Sequence, residues 1–408
     1  MKFNPWLLSL ILCACFPAQA QSHAAQKRLD AELLASDGQA NDGFGAYVAA
    51  DGNIVAVADG LNPGSVYLFS RLSKGTVTQI AKLSASNGTP LFQGLAVGEN
   101  GHLVVAGAIS ETINNNPNQG AVYVFVEPEG GWSGNITETA RLTASDGTAN
   151  AQLGISVSST SGTIVAGAYQ GGNEAQGKAY VYVEPQGGWA SGTETAQLTA
   201  SNGHSGDGFG GSVASFGPRI VVGADGFKNY EGLAYVFQEP VGGWKTMTET
   251  AQLSHPGTDE FFAESVAASG KTVLIGAPNA PHGGAAYIYI QPANGWVTTE
   301  TPNATLTEAN SGCLGDNVAI ESGMIAAGDQ CIAWGRGNNQ TKGDAIVYLE
   351  PSGGWQNSSG GIVIRPFRSR QSNAVAVGEN RVIIGADMTN VGNNQGQGAA
   401  FIYTVPAR

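Results

Sequence analysis

The sequence predicts an all-β protein, a seven-bladed β-propeller with four-stranded antiparallel blades. Three observations carry this: a composition suited to strands and turns, one pattern repeated along the chain, and a last copy whose missing strand the N-terminus supplies. Only 12% of the 408 residues are charged, about half the usual share, while the 59 glycines are about twice the average usage. Helices need charged solvated faces and exclude glycine from their interiors, so a helical bundle does not fit. A net charge of −13 also argues against a nucleic-acid partner, whose phosphates it would repel.

The repeat is read most easily from two copies. ETARLTASDGTANAQLGISVSSTSGTIVAGAYQGGNEAQGKAYVYVEPQGGW ends at Trp189, and ETAQLTASNGHSGDGFGGSVASFGPRIVVGADGFKNYEGLAYVFQEPVGGW ends at Trp244. The same phrase recurs at Trp132, Trp296 and Trp355, with spacings of 57, 55, 52 and 59 residues between successive Trp. Counting the glycine-bearing second strand gives seven units, near Val57, Gly107, Gly167, Gly223, Gly276, Gly328 and Gly385. Each unit holds four strand-like runs parted by turn residues. In the fourth these are A at 211–215, B at 220–224, C at 233–238 and D at 250–253. Four strands in a unit of this length mean propeller blades.

The last unit has A, B and C, with C at 400–405, and no D. Residues 30–38, DAELLASDG, match the D strand TARLTASDG at 139–147. The first strand should therefore complete the last blade and remove the open edges of the ring. The small residues of strands A and B fit crowded faces between blades, and the recurring GGW tryptophan reads as packing.

Phe44-Gly45 and Phe209-Gly210, with variants Leu153-Gly154 and Leu314-Gly315, precede strand A. Gly276-Ala277-Pro278 ends strand B, with shorter forms at Gly107-Ala108, Gly167-Ala168, Gly223-Ala224 and Gly385-Ala386. In these residues the chain resembles the FG-GAP repeat family, the propeller repeats of integrin alpha-chain ectodomains and of bacterial exported proteins. The resemblance implies a propeller over residues 29–408 and an adhesion-type binding role. Calcium-binding members carry D-x-D-x-D-G-like runs in the A–B loop. Here those loops, such as Asp51-Gly52-Asn53 and Glu321-Ser322-Gly323, offer too few carboxylates, so no calcium and no other cofactor is expected.

The N-terminus is expected to be a secretory signal peptide over residues 1–20: Lys2, an apolar run at 6–16, and an A-x-A pattern ending at Ala20. Residues 21–28 form a short leading segment. Lipid attachment at Cys15 is the alternative. The expected location is secreted, periplasmic or cell-surface, and no later run is long and apolar enough to span a bilayer. Cys313 and Cys331 flank a strand–turn–strand pattern centred on Ser322, which predicts a disulfide across that hairpin.

No metal-ligating or nucleophile motif appears, and the five His are scattered. Candidates for recognition come from position. The D–A and B–C loops share one face, and the B–C loops at 109–120, 169–177, 225–232, 329–343 and 387–398 vary most. Asp59, Asp225, Asp329 and Asp387 follow strand B at what reads as one position, where Asx turns or a ligand would explain them. Asp42, Asp207 and Asp259 precede strand A, nearer the axis, where they could hold a cation or sugar hydroxyls. Trp334 offers an aromatic platform, and Arg365, Arg368 and Arg370 a basic cluster suited to an anion.

The expected function is a non-catalytic, exported recognition module, monomeric, binding a glycan or an extracellular protein through this loop face. The rival readings are a polysaccharide lyase or hydrolase using axial carboxylates, and a structural subunit of an envelope complex.

Overall fold

The computed structural model describes residues 27–60, 64–71, 77–91, 93–172, 175–257, 260–330, 343–366 and 374–405. They form seven sheets arranged as the blades of a propeller. In blade 4, strand A is Ser212–Phe216, B is Arg219–Ala224, C is Leu233–Gln238 and D is Ala251–Leu253. These bounds agree with the sequence reading to within one residue, because the turn residues that delimit them are local signals.

The ring closes as expected. Strand Arg28–Leu33 pairs antiparallel with Ala399–Thr404 and supplies the outer strand of blade 7, setting Leu33 against Ala400. Leu33 is 2% exposed. Leu33→Ala should cost about 2–5 kcal/mol. Starting the chain after this strand should leave Ala399–Thr404 as an open edge and promote association. Thermal melts and light scattering test both, and a truncated chain that stays monomeric with an unchanged melt would refute the closure argument.

Two repeated features join neighbouring blades. The first gives the FG and GA glycines their reason. Gly45, Gly154, Gly210 and Gly315 all have φ between +93° and +99°, and each lies against the strand-B glycine of the preceding blade. Beside them Phe44, Leu153, Phe209, Phe262 and Leu314 bridge in parallel to the glycine that ends the preceding B–C loop. Backbone meets backbone at these junctions, and where the FG position is Gly45, Gly154, Gly210 or Gly315 a side chain on either glycine would enter the gap.

The second feature was not expected. After each GGW the chain runs back to the preceding blade before entering its own strand D. Gly134–Thr137, Gly192–Thr193 and Met247–Thr248 add a short fifth strand, parallel to strand D of blades 1, 2 and 3. Single bridges from Thr299 and Ser358 do the same for blades 4 and 5. The tryptophans turn inward at the start of these straps. Trp132 is buried and donates from Nε1 to the Gly101 carbonyl at 2.8 Å.

Charged groups then lock the straps. Glu138 accepts from the Ser86 amide at 2.8 Å and its hydroxyl at 2.6 Å. Glu194 holds Ser145 and Glu249 holds Ser201 in the same way. In the sixth unit the polarity is reversed: Glu308, one residue before the place the serines hold in the other copies, accepts from the Gly361 amide at 3.1 Å. Several of the few charges in the chain are thus spent on joining blades.

Candidate functional site

The loop face is built from the D–A and B–C connections, and strand C is pinned to it by tyrosine hydroxyls. Tyr67 donates to Asp37, Tyr123 to Glu111, Tyr180 to Asp146, Tyr235 to Asn202 and Tyr287 to Glu260, at 2.8–3.3 Å. Burial pushes the Tyr123 hydroxyl up to about 12 and holds the others higher still, reinforced by the acidic partners and, for Tyr235, by Asp207 and Glu249. Much of the acidity on this face is therefore structural.

The predicted axial carboxylates do not converge. Asp42 accepts from the Gln39 amide at 2.5 Å, and Asp207 from the His204 amide at 2.6 Å. Each folds back on its own turn, and the two stand on blades 1 and 4, as far apart as a seven-membered ring allows. Asp259 lies outside the described residues. Its neighbour Glu260 occupies the equivalent place, two residues before Phe262 as Asp42 is before Phe44. Glu260 is 3% exposed and is held by Tyr287 and by His255 Nδ1 at 3.2 Å. Among the described residues no three His, Cys, Asp or Glu converge on a point suited to a metal ion.

The four aspartates after strand B do not share one position. Counted from the first residue past the A–B turn, Asp59 and Asp329 stand where Ala224 and Ala386 stand, while Asp225 and Asp387 come one residue later. Asp59 is 1% exposed and its carboxyl is pushed up to about 6 by burial, although Oδ1 accepts from the Ser65 amide at 2.8 Å. Asp329 Oδ1 accepts from the Gly312 and Cys313 amides, both at 2.8 Å. Burial raises Asp225 and Asp387 as well.

Of the basic cluster, Arg365 pairs with Asp344 at 2.8 Å on the solvent side; Arg368 and Arg370 lie outside the described residues, as does Trp334. The hairpin carrying Cys313 turns at Ser322-Gly323, and a bulge between Leu314 and Val318 sets Leu314 opposite Asp329. Cys331 lies outside the described residues, so the bridge remains an expectation.

Two features were missed from sequence. Glu264 and Asp316 follow the FG position in blades 5 and 6, where other blades carry Ala46, Ile155 or Gly211. Burial pushes Glu264 up to about 8, with Asp316 and Asp225 adding repulsion, and pushes Asp316 up to about 7, with Asp329 adding to it. Aligning the repeats on Phe262 and Leu314 would have exposed this pair.

The second is a cavity of about 460 Å³ on blade 4, between the D–A loop carrying Asn202, His204 and Asp207 and the B–C loop carrying Lys228, Asn229 and Tyr230. The B–C loop makes one left-handed helical turn: Lys228, Asn229 and Tyr230 have φ of 48°, 60° and 70°. None is glycine, and left-handed turns of L-residues cost roughly 1–2 kcal/mol per residue. Packing sustains the turn. Phe227 is buried beneath it, the Glu231 amide bonds the Phe227 carbonyl, and Phe261 of blade 5 stacks on Tyr230 at 4.6 Å and 27°. The Phe261 amide also donates to the Tyr230 carbonyl at 3.0 Å. Tyr230 is nevertheless 44% exposed and lines the cavity. Glycine flanks the turn at Gly226 and Gly232 but fills none of its three left-handed positions, which is why its handedness was not legible in the sequence.

Residues 28–69, 136–182 and 193–237 match the FG-GAP repeat. Among solved structures, the WD40 β-propeller domain of Doa1 is similar at 14% identity, over 93% of this chain and 97% of that one, with a TM-score of 0.54. A chain of the mitotic checkpoint complex is similar at 11% identity over 99% of each, with a TM-score of 0.57. At such identities the likeness shows the fold alone. No curated protein matches the sequence.

Proposed function

Because the chain carries FG-GAP repeats at three positions of a closed seven-bladed β-propeller, we propose that it is a recognition module. It works outside the cytoplasm after removal of residues 1–20, and binds a glycan or an extracellular protein through its B–C and D–A loop face. The observation that carries this reading is the blade 4 cavity. A rigid ring holds a strained loop there that exposes an aromatic ring beside amide and hydroxyl side chains. Asp42, Asp207 and Glu260 on this face are tied to backbone amides and a tyrosine, which suits holding a ligand more than transforming it.

The test is an array of glycans and matrix proteins probed with the chain beginning at Gln21, with and without chelator. Binding of a defined subset, unchanged by chelator, is expected. Silence across the array would remove this reading in favour of a structural role.

A further inference from the structure

We propose that the blade 4 cavity is a subsite for a neutral pyranose ring, with Tyr230 as its stacking platform; this deepens the reading above and rests on it. The argument is one of matching chemistry. A pyranose has a face of C–H groups and a rim of hydroxyls that both donate and accept. Tyr230 offers an exposed aromatic face, and Phe261 behind it keeps the ring from turning away. Asn202, Ser205 and Asn229 line the same cavity and can donate and accept in turn. Asn202 Oδ1 already accepts from Tyr235 at 2.9 Å, which orients its amide hydrogens for a ligand oxygen.

Other ligand classes fit less well. An anion would meet Asp207 in the lining, and Lys228 has Glu231 at 4.0 Å as its partner. A cation would find Asp207 occupied by the His204 amide, with Lys228 nearby. A wholly apolar group would strand the asparagines without partners. The left-handed turn is held by Phe227 beneath it and Phe261 beside it, so binding need not create it, which limits the ordering cost.

The test uses saturation-transfer NMR on the chain beginning at Gln21. The probes are methyl α-mannoside, methyl β-galactoside, N-acetylglucosamine and, as the charged control, glucuronate. At least one neutral sugar should receive saturation and glucuronate should receive less. Tyr230→Ala and Asn202→Ala should each weaken the interaction at least tenfold, while Tyr230→Phe retains most of it. Val241→Ala, at the fully exposed turn between strands C and D, should change nothing, and circular dichroism checks that each variant is folded. Preference for glucuronate, absence of binding to every neutral sugar, or binding indifferent to Tyr230→Ala would overturn the subsite. If the array finds a ligand whose binding survives Tyr230→Ala, the subsite falls and the recognition reading stands. If the array is silent, that reading falls first.

Discussion

Replacing Gly167 by alanine should destabilise the ring by about 3 kcal/mol or more, and replacement by valine should leave no cooperative melt. Gly167 sits in strand B of blade 3, and a β-carbon there would lie 2.6 Å from Ser156 Oγ and 2.8 Å from the Gly210 carbonyl carbon, with the oxygen closer still. The obstacle is backbone on the neighbouring blade, so no rotamer change relieves it. Gly210 is as crowded in turn: at φ +93°, a β-carbon on it would lie against the Lys178 carbonyl and 3.2 Å from the Ala168 amide nitrogen. The same junction recurs at Gly107 with Gly154 and at Gly276 with Gly315, where the carbonyl carbons would lie 2.8 and 2.9 Å away. Gly130 is the control: it has open space around it and an ordinary φ, so Gly130→Ala should shift stability by no more than about 0.5 kcal/mol. Urea denaturation of the three variants decides the matter. A Gly167→Ala protein as stable as Gly130→Ala would contradict the account of why these glycines recur.

The next largest effect concerns Glu264 and Asp316. In the folded ring burial pushes the Glu264 carboxyl up to about 8 and the Asp316 carboxyl up to about 7, whereas in the unfolded chain both titrate in the ordinary carboxylate range. The folded state therefore holds protons that the unfolded state has released. Stability from this pair is complete at low pH, declines as pH rises from about 4.5, and levels off beyond about 8. Glu264→Gln keeps the shape and removes the titration. It should melt with wild type near pH 5 and above it at pH 8.5, by an amount on the order of a few kcal/mol. Asp316→Asn should flatten the same slope between about pH 4 and 7. Parallel pH–melting curves for wild type and Glu264→Gln would show that the pair is not coupled to folding.

The strand bounds of blade 4, the packing role of the tryptophans and the closing strand at Arg28–Leu33 were legible because each is announced by a short local phrase, even where, as in the closing strand, the pairing joins the two ends of the chain. Turn glycines, alternating apolar residues and a matched ASDG phrase are local, and repetition confirmed them copy by copy. Asp59 and Asp329 were set one position off for a related reason. They replace the alanine of the GA pair, and only the pairing of Asp51 with Ile54 and of Glu321 with Met324 sets the count. Asp42 and Asp207 were assigned to the axis by their place before strand A. Whether a carboxylate points along the axis or back into its turn depends on the free amides nearby, and the Gln39 and His204 amides claimed both.

Composition and repetition alone were enough for the ring, its seven blades and the way it shuts, since hydrophobic alternation and turn chemistry act over a few residues and recur in register. The loop-face cavity and the Glu264–Asp316 pair depend on groups from different blades. The handedness of the turn at Lys228, Asn229 and Tyr230 is held by Phe227 beneath and Phe261 alongside, against the preference of Lys228 and Tyr230. The elevated carboxyls arise because packing brings charges from three blades out of water together. Those energies belong to contacts between blades, which come into being only when the ring closes.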